Sequence, residues 1–199
     1  ESRFGQENFV AMLVREPELR GRVAESTAPA GVERSRALAR TGIHGIYIYD
    51  HLSTGEMISP AHYEEFCLPV VKAYVDAIRE CGMKSIVCYY GQVMDRLELI
   101  AKTGADVLSV ECAMKGYTND IETIAETVGD RMTLFANIDP IWIIEKGSEE
   151  ALEAEIERQA TAGRKARGFV LSPASPITPG TDLARIQLFL ELCHKHGRE

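Results

Sequence analysis

Five short runs rich in Val, Ile and Leu recur along the chain, each closed by polar residues and followed by a stretch patterned for a helix. They span 45–49, 85–89, 107–110, 133–136 and 168–171. Runs of this length and near-continuous apolar character fit strands buried in a parallel sheet. Strands separated by crossover helices must run parallel, so their polar endings gather along one sheet edge. Those endings are Asp50-His51, Tyr90-Gly91-Gln92, Glu111-Cys112, Asn137-Ile138-Asp139 and Ser172-Pro173-Ala174-Ser175.

The intervening stretches carry helix punctuation. Ser59-Pro60 supplies an N-cap and a first-turn proline, Phe66, Val70, Tyr74 and Ile78 then recur at helical spacing, and Gly82 closes the helix, with a kink expected at Pro69. Val93, Leu97 and Ile100 mark a second helix before Gly104, and Ile121, Ile124, Ala125 and Val128 a third before Gly129. Leu152, Ile156 and Ala160 form a fourth stripe, and the last helix, from Thr181, shows Ile186, Phe189, Leu190 and Cys193 on one face. Two helices, over 7–22 and 27–40, precede the first strand. An internal echo supports a repeated unit: Ala39-Arg40-Thr41-Gly42 and Ala101-Lys102-Thr103-Gly104 each lead into a strand. The expected fold is therefore α/β, the C-terminal five βα units of a (β/α)8 TIM barrel, in a single domain over 1–199 with leading helices over 1–41. A full barrel needs eight units and typically about 250 residues. The chain has 199 residues and begins at Glu1, which points to three further strands upstream. An open doubly wound sheet is the competing fold, but Asp50-His51-Leu52-Ser53-Thr54-Gly55 is no Gly-rich phosphate loop.

Composition narrows the partners. A net charge of −8 without a basic stripe argues against nucleic acid and an anionic membrane, leaving a small-molecule substrate. No apolar run reaches the roughly 18 to 20 residues of a membrane span and no leader is visible, so a cytoplasmic location is expected. Five cysteines at irregular spacing make neither a disulfide framework nor a Cys-X-X-Cys pair.

Tyr49-Asp50, the Ile58-Ser59-Pro60-Ala61-His62-Tyr63-Glu64-Glu65-Phe66 segment with Leu68-Pro69, Asn137-Ile138-Asp139-Pro140 and Leu171-Ser172-Pro173, in that order, resemble the uroporphyrinogen decarboxylase superfamily. The resemblance runs from about Gly42 onward and implies a (β/α)8 barrel. It also implies one of two chemistries: decarboxylation of porphyrinogen acetate groups without metal or cofactor, or methyl transfer between a corrinoid protein and a thiol at zinc. In the methyltransferase branch zinc is held by a His-X-Cys pair and a later Cys; the corresponding positions here are Cys88, Tyr90 and Ser175. Only Cys88 remains a soft ligand. In the decarboxylase branch a serine is replaced by His51 and a late histidine by Ser175. The wording of the chain is nearer the methyltransferase-like branch, with corrinoid as methyl donor or acceptor; a non-catalytic binding relative is the further alternative. A corrinoid protein and a second copy in a homodimer are the macromolecular partners this implies.

Candidate roles follow from side-chain chemistry. Asp50 and His51 offer a carboxylate beside an imidazole for proton transfer, although adjacent strand-end residues face opposite ways. Tyr90 offers a phenol donor, and Asn137 a ligand contact; with Asp50 and His51 these form the expected catalytic set. Glu111, Asp139, Ser172 and Ser175 are the expected substrate-binding groups, with Asp139 alternatively capping the turn that holds Asn137. Cys88 is the candidate zinc ligand, alone or in a set with His51, Glu111 and Cys112, against the alternative that Cys88 and Cys112 are buried hydrophobes. His62, His194 and His196 are expected on solvated helix faces, as is the acidic run Glu149 to Glu157.

Overall fold

A computed structural model describes residues 8, 11, 15–113 and 116–197. Its centre is a sheet of five parallel strands, hydrogen-bonded in sequential order: β1 Gly45–Asp50, β2 Lys84–Tyr89, β3 Val107–Val110, β4 Thr133–Phe135 and β5 Phe169–Val170. Helices α1 Pro17–Ala39, α2 Leu68–Glu80, α3 Leu97–Ala101, α4 Ile121–Val128, α5 Glu149–Gly163 and α6 Leu183–His196 complete the repeat. This is the α/β barrel-type arrangement that the strand rhythm predicts.

Strand side chains alternate between two faces, and the two faces differ in chemistry. Ile48, Val87, Tyr89, Leu108, Val110 and Leu134 point one way and join one apolar core with Val71, Val75, Ile100, Ile124 and Val128 from the helices. A second core gathers Ala136, Ile138, Ile144, Leu152, Ile156, Phe189 and Leu192 beneath β4, α5 and α6. The opposite face carries Tyr47, Tyr49, Cys88, Ser109 and Phe135. Among the described residues no helix is long and apolar enough to cross a membrane.

Three local expectations are corrected, and the irregularity expected at Pro69 takes a specific form. The break expected between residues 22 and 27 is absent: one helix runs over Pro17–Ala39 with Pro29 inside it. Pro29 and Glu25, the residue whose carbonyl it frees, are both exposed, so water replaces the lost bond. The earlier part of the helix expected over 7–22 falls largely outside the described residues. At Pro69 the chain forms a π-helical turn, Tyr63–Cys67, in which the Leu68 N–H donates to the Tyr63 carbonyl five residues back; the wider turn ends where the proline ring needs room, and Pro69 then lies in the first turn of α2. Leu190 is half exposed, and Phe189 and Leu192 are the buried pair of α6. His196 and Lys195 both meet Glu153, at 3.0 and 2.5 Å, tying α6 to α5 rather than facing solvent alone.

The loop 51–58 after β1 is held by an unusual anchor. Arg96 is 1 % exposed. Its Nη1 donates to the Ser53 carbonyl and its Nη2 to the Ile58 carbonyl, each at 2.7 Å, and its Nε donates to Asp95 at 2.9 Å. The guanidinium also lies 5.6 Å from the centre of the Tyr63 ring. Only a planar fork with five donors reaches both carbonyls and the carboxylate at once. Arg96→Ala strands two buried carbonyls and is expected to cost about 3 kcal/mol, read from the urea midpoint at unchanged slope. Arg96→Lys is expected to recover less than half of that loss.

Candidate active site at the strand ends

Parallel pairing puts register partners on the same face, and one rung of the sheet reads Tyr49, Cys88, Ser109 and Phe135 from β1 to β4. Around it the aromatic rings are ordered. Tyr49 stacks on Tyr47 with centroids 5.4 Å apart and on Tyr90 at 6.0 Å, and Phe135 meets Tyr47 edge-on at 6.3 Å. Tyr49 is 61 % exposed despite this packing. Cys88 sits on this rung between Tyr49 and Ser109, with Tyr90 two residues on along the same face. Burial, opposed by the neighbouring Ser109 and Tyr90 hydroxyls, pushes the Cys88 thiol up, so it stays protonated at neutral pH. Burial and the neighbouring Cys88 push the Tyr90 phenol up to about 12, leaving it a donor.

Glu111 stands one step past β3 on the same face parity as Ser109. Tyr117 donates to its carboxylate at 2.8 Å, and burial followed by that contact pushes the Tyr117 phenol upward. Beneath this pair runs a chain of buried amides. Asn137 is 4 % exposed and Asn119 2 %. The Asn137 Nδ2 donates to the carbonyls of Glu111 at 3.1 Å and Asn119 at 2.6 Å, while its main-chain N–H donates to Gln159 Oε1 at 3.1 Å. Asn119 in turn donates to the carbonyls of Gly91 and Glu111 and accepts from the Val93 N–H. The ends of β2, β3 and β4 are thereby fastened to one another and to α5.

Residues 1–196 match the family model described as Uroporphyrinogen decarboxylase (URO-D). The chain belongs to the URO-D family. Its relatives divide between two activities at similar distance. The uroporphyrinogen decarboxylase of Pseudomonas aeruginosa (strain UCBPP-PA14) is 30% identical over 188 residues, covering 93% of this chain and 50% of that protein. The methylcobamide:CoM methyltransferase MtbA of Methanosarcina mazei is 26% identical over 171 residues, covering 86% of this chain and 47% of that protein. The chain thus spans about half the length of the curated relatives it matches. A solved methyltransferase from Methanosarcina mazei superposes over 95% of this chain and 53% of its own with a TM-score of 0.80 at 18% identity, which establishes a shared fold.

Within this URO-D family member, the sequence-derived candidates separate. Cys88, Tyr90 and Glu111 share the open face, and the Glu111 side chain acts electrostatically on both Cys88 and Tyr90. Asp50 faces the helix side, where its carboxylate accepts from the Leu52 and Ser53 N–H groups and from the Ser53 hydroxyl. Its charge there helps to raise the Tyr63 and Tyr89 phenols, behind burial as the main cause. His51 is exposed next to it. Asp139 caps the π-helical turn Pro140–Glu145 by accepting from the N–H groups of Ile141 and Trp142 at 2.8 and 2.9 Å. Burial, then the Asp139 charge, pushes the neighbouring Cys112 thiol up to about 12. The Ser172 hydroxyl donates to the Ala136 carbonyl at 2.9 Å, and Ser175 lies half-buried beyond the bridge between Ile138 and Pro173.

Among the described residues no group of three or more His, Cys, Asp and Glu side chains is placed to hold a metal. The set His51, Cys88, Glu111 and Cys112 is not gathered. Cys88, Tyr90 and Ser175, the positions where the resemblance implies zinc ligands, carry a protonated thiol, a phenol and an alcohol, a donor set that does not fit zinc.

Three site residues went unread in the sequence: Asn119, Gln159 and Tyr117. Gln159 had a signal, since it lies on the buried stripe of α5 three residues after Ile156, where a polar residue needs a buried partner. Asn119 and Tyr117 lie in an irregular segment with no periodic pattern to mark them.

Because its thiol is buried and raised, Cys88 is expected to react with iodoacetamide at pH 8 at least about tenfold more slowly than a free cysteine, checked by peptide mass spectrometry. Plasma mass spectrometry of protein equilibrated with equimolar zinc and desalted is expected to give well under one zinc per chain, and Cys88→Ser to leave that value unchanged.

Proposed function

We propose that this protein is a methyltransferase-like member of the URO-D family that moves a methyl group between a corrinoid and a protic acceptor such as a thiol, using Glu111 as base in place of zinc. The observation that carries this reading is the Glu111 carboxylate, held by Tyr117 on the open face beside Cys88 and Tyr90, where the family's soft metal ligands are replaced. The MtbA relatives support the corrinoid half of it.

The acceptor's proton passes to Glu111, and the freed electron pair attacks the methyl carbon. A bound methylcorrinoid would supply that methyl group and take back the electron pair of the bond broken in the same displacement. Tyr90 donates a hydrogen bond to the bound acceptor, and the Tyr49 and Phe135 rings supply an apolar wall that excludes water from the reacting groups. Cys88, held as a neutral thiol, packs the floor.

Decarboxylation of a porphyrinogen is the second reading, favoured by the decarboxylase relatives at 26% and 30% identity. The two separate in one experiment. Purified protein with methylcobalamin and a panel of thiols, in excess chelator, is expected to generate the reduced corrinoid spectrum, and Glu111→Gln to lower kcat at least about a hundredfold. Activity lost in chelator and restored by zinc, or full activity in Glu111→Gln, overturns the proposal. Turnover of uroporphyrinogen without methyl transfer establishes the second reading.

A further inference from the structure

We infer that Asn119 is a positioning residue that holds Glu111 against Tyr117 and sets both relative to Tyr90. The inference deepens the function proposed above, since it takes Glu111 as the working base. Asn119 lies in the irregular segment between β3 and α4, next to Asp120, the N-cap of α4. Its side chain uses every polar group it has. Nδ2 donates to the Gly91 carbonyl at 2.9 Å and the Glu111 carbonyl at 3.1 Å, Oδ1 accepts from the Val93 N–H at 3.1 Å, and its own carbonyl accepts from Asn137 at 2.6 Å.

The partners explain why this amide matters to the mouth. Gly91 follows Tyr90 directly and has φ +140°, a conformation open to glycine. A side chain there would meet Thr54 Oγ1 at 2.5 Å and Glu56 Oε2 at 2.8 Å, so the loop 51–58 presses on it from the other side. Asn119 therefore clamps the backbone next to Tyr90 and the backbone of Glu111 with the same amide. Tyr117 is only two residues upstream, so fixing Asn119 also fixes the phenol that reaches Glu111. Asn137, by contrast, bonds the carbonyls of Glu111 and Asn119. Asn119 touches none of the groups assigned to the reaction through its side chain, and acts through the main chain that carries them.

The test uses a readout independent of turnover. The carboxylate stretching band of Glu111, isolated as the infrared difference between wild type and Glu111→Gln, is compared in Asn119→Ser, Asn119→Asp and Tyr117→Phe. The expected result is that either Asn119 variant shifts the band as Tyr117→Phe does, while melting within about 10 °C of the wild type. In the methyl-transfer assay kcat is expected to fall about ten- to a hundredfold with KM within about twofold. An unshifted Glu111 band, or a loss of activity seen only as a rise in KM, overturns the assignment. Failure of both Asn119 variants to fold overturns it as well, since the residue is then structural. A shifted band in a protein whose wild type transfers no methyl group leaves Asn119 in place and removes the methyl-transfer reading.

Discussion

The burial of one face of a parallel sheet governs this structure. Each strand needs its helix-side residues out of water, and with a period of two that requirement also dictates which residues are left on the other face. Val87 and Tyr89 go under the helices, so Cys88 and Tyr90 do not. Because neighbouring strands are parallel and in register, the choice propagates across the sheet as a rung, and Tyr49, Cys88, Ser109 and Phe135 become neighbours although up to 86 residues of sequence separate them. A slip of one residue in any pairing would exchange the two faces of that strand and bury Tyr90 while exposing Tyr89.

Apolar packing fixes the strands but leaves their ends free, and the ends are where the polar groups are. Two buried polar devices close that gap. Arg96 binds the loop after β1 through main-chain carbonyls, and the chain of amides from Gln159 through Asn137 to Asn119 binds the ends of β2, β3 and β4. Both devices are buried, and both satisfy backbone groups that have no strand partner left. A buried polar network is costly when incomplete and rigid when complete, which makes it suited to holding side chains at a mouth where no regular element continues.

The mouth is built on the family's shared scaffold and carries its own set of polar groups. A thiol held neutral by burial, two phenols and one carboxylate stand there, and the proposed proton transfer rests on them. One scaffold can carry different chemistries because strand-end positions tolerate substitution without disturbing the alternation beneath them.

The sequence by itself determined the repeating βα units, the strand positions to within a residue or two and the edge where functional groups collect, because each depends on local periodicity and on helix punctuation such as Ser59-Pro60. It also marked Tyr90 and Glu111 as strand-end groups. Side-chain direction at the turns was less legible. Asp50 reads as a catalytic carboxylate until its oxygens are seen accepting from Leu52 and Ser53, whereas Asp139 takes the turn-capping role that Asp-Pro offered as its alternative. Tertiary structure alone decided which polar residues pair across the strand ends. Arg96, Asn119 and Tyr117 find partners 6 to 43 residues away, and no period along the chain encodes a contact that exists only once the sheet has brought those segments together.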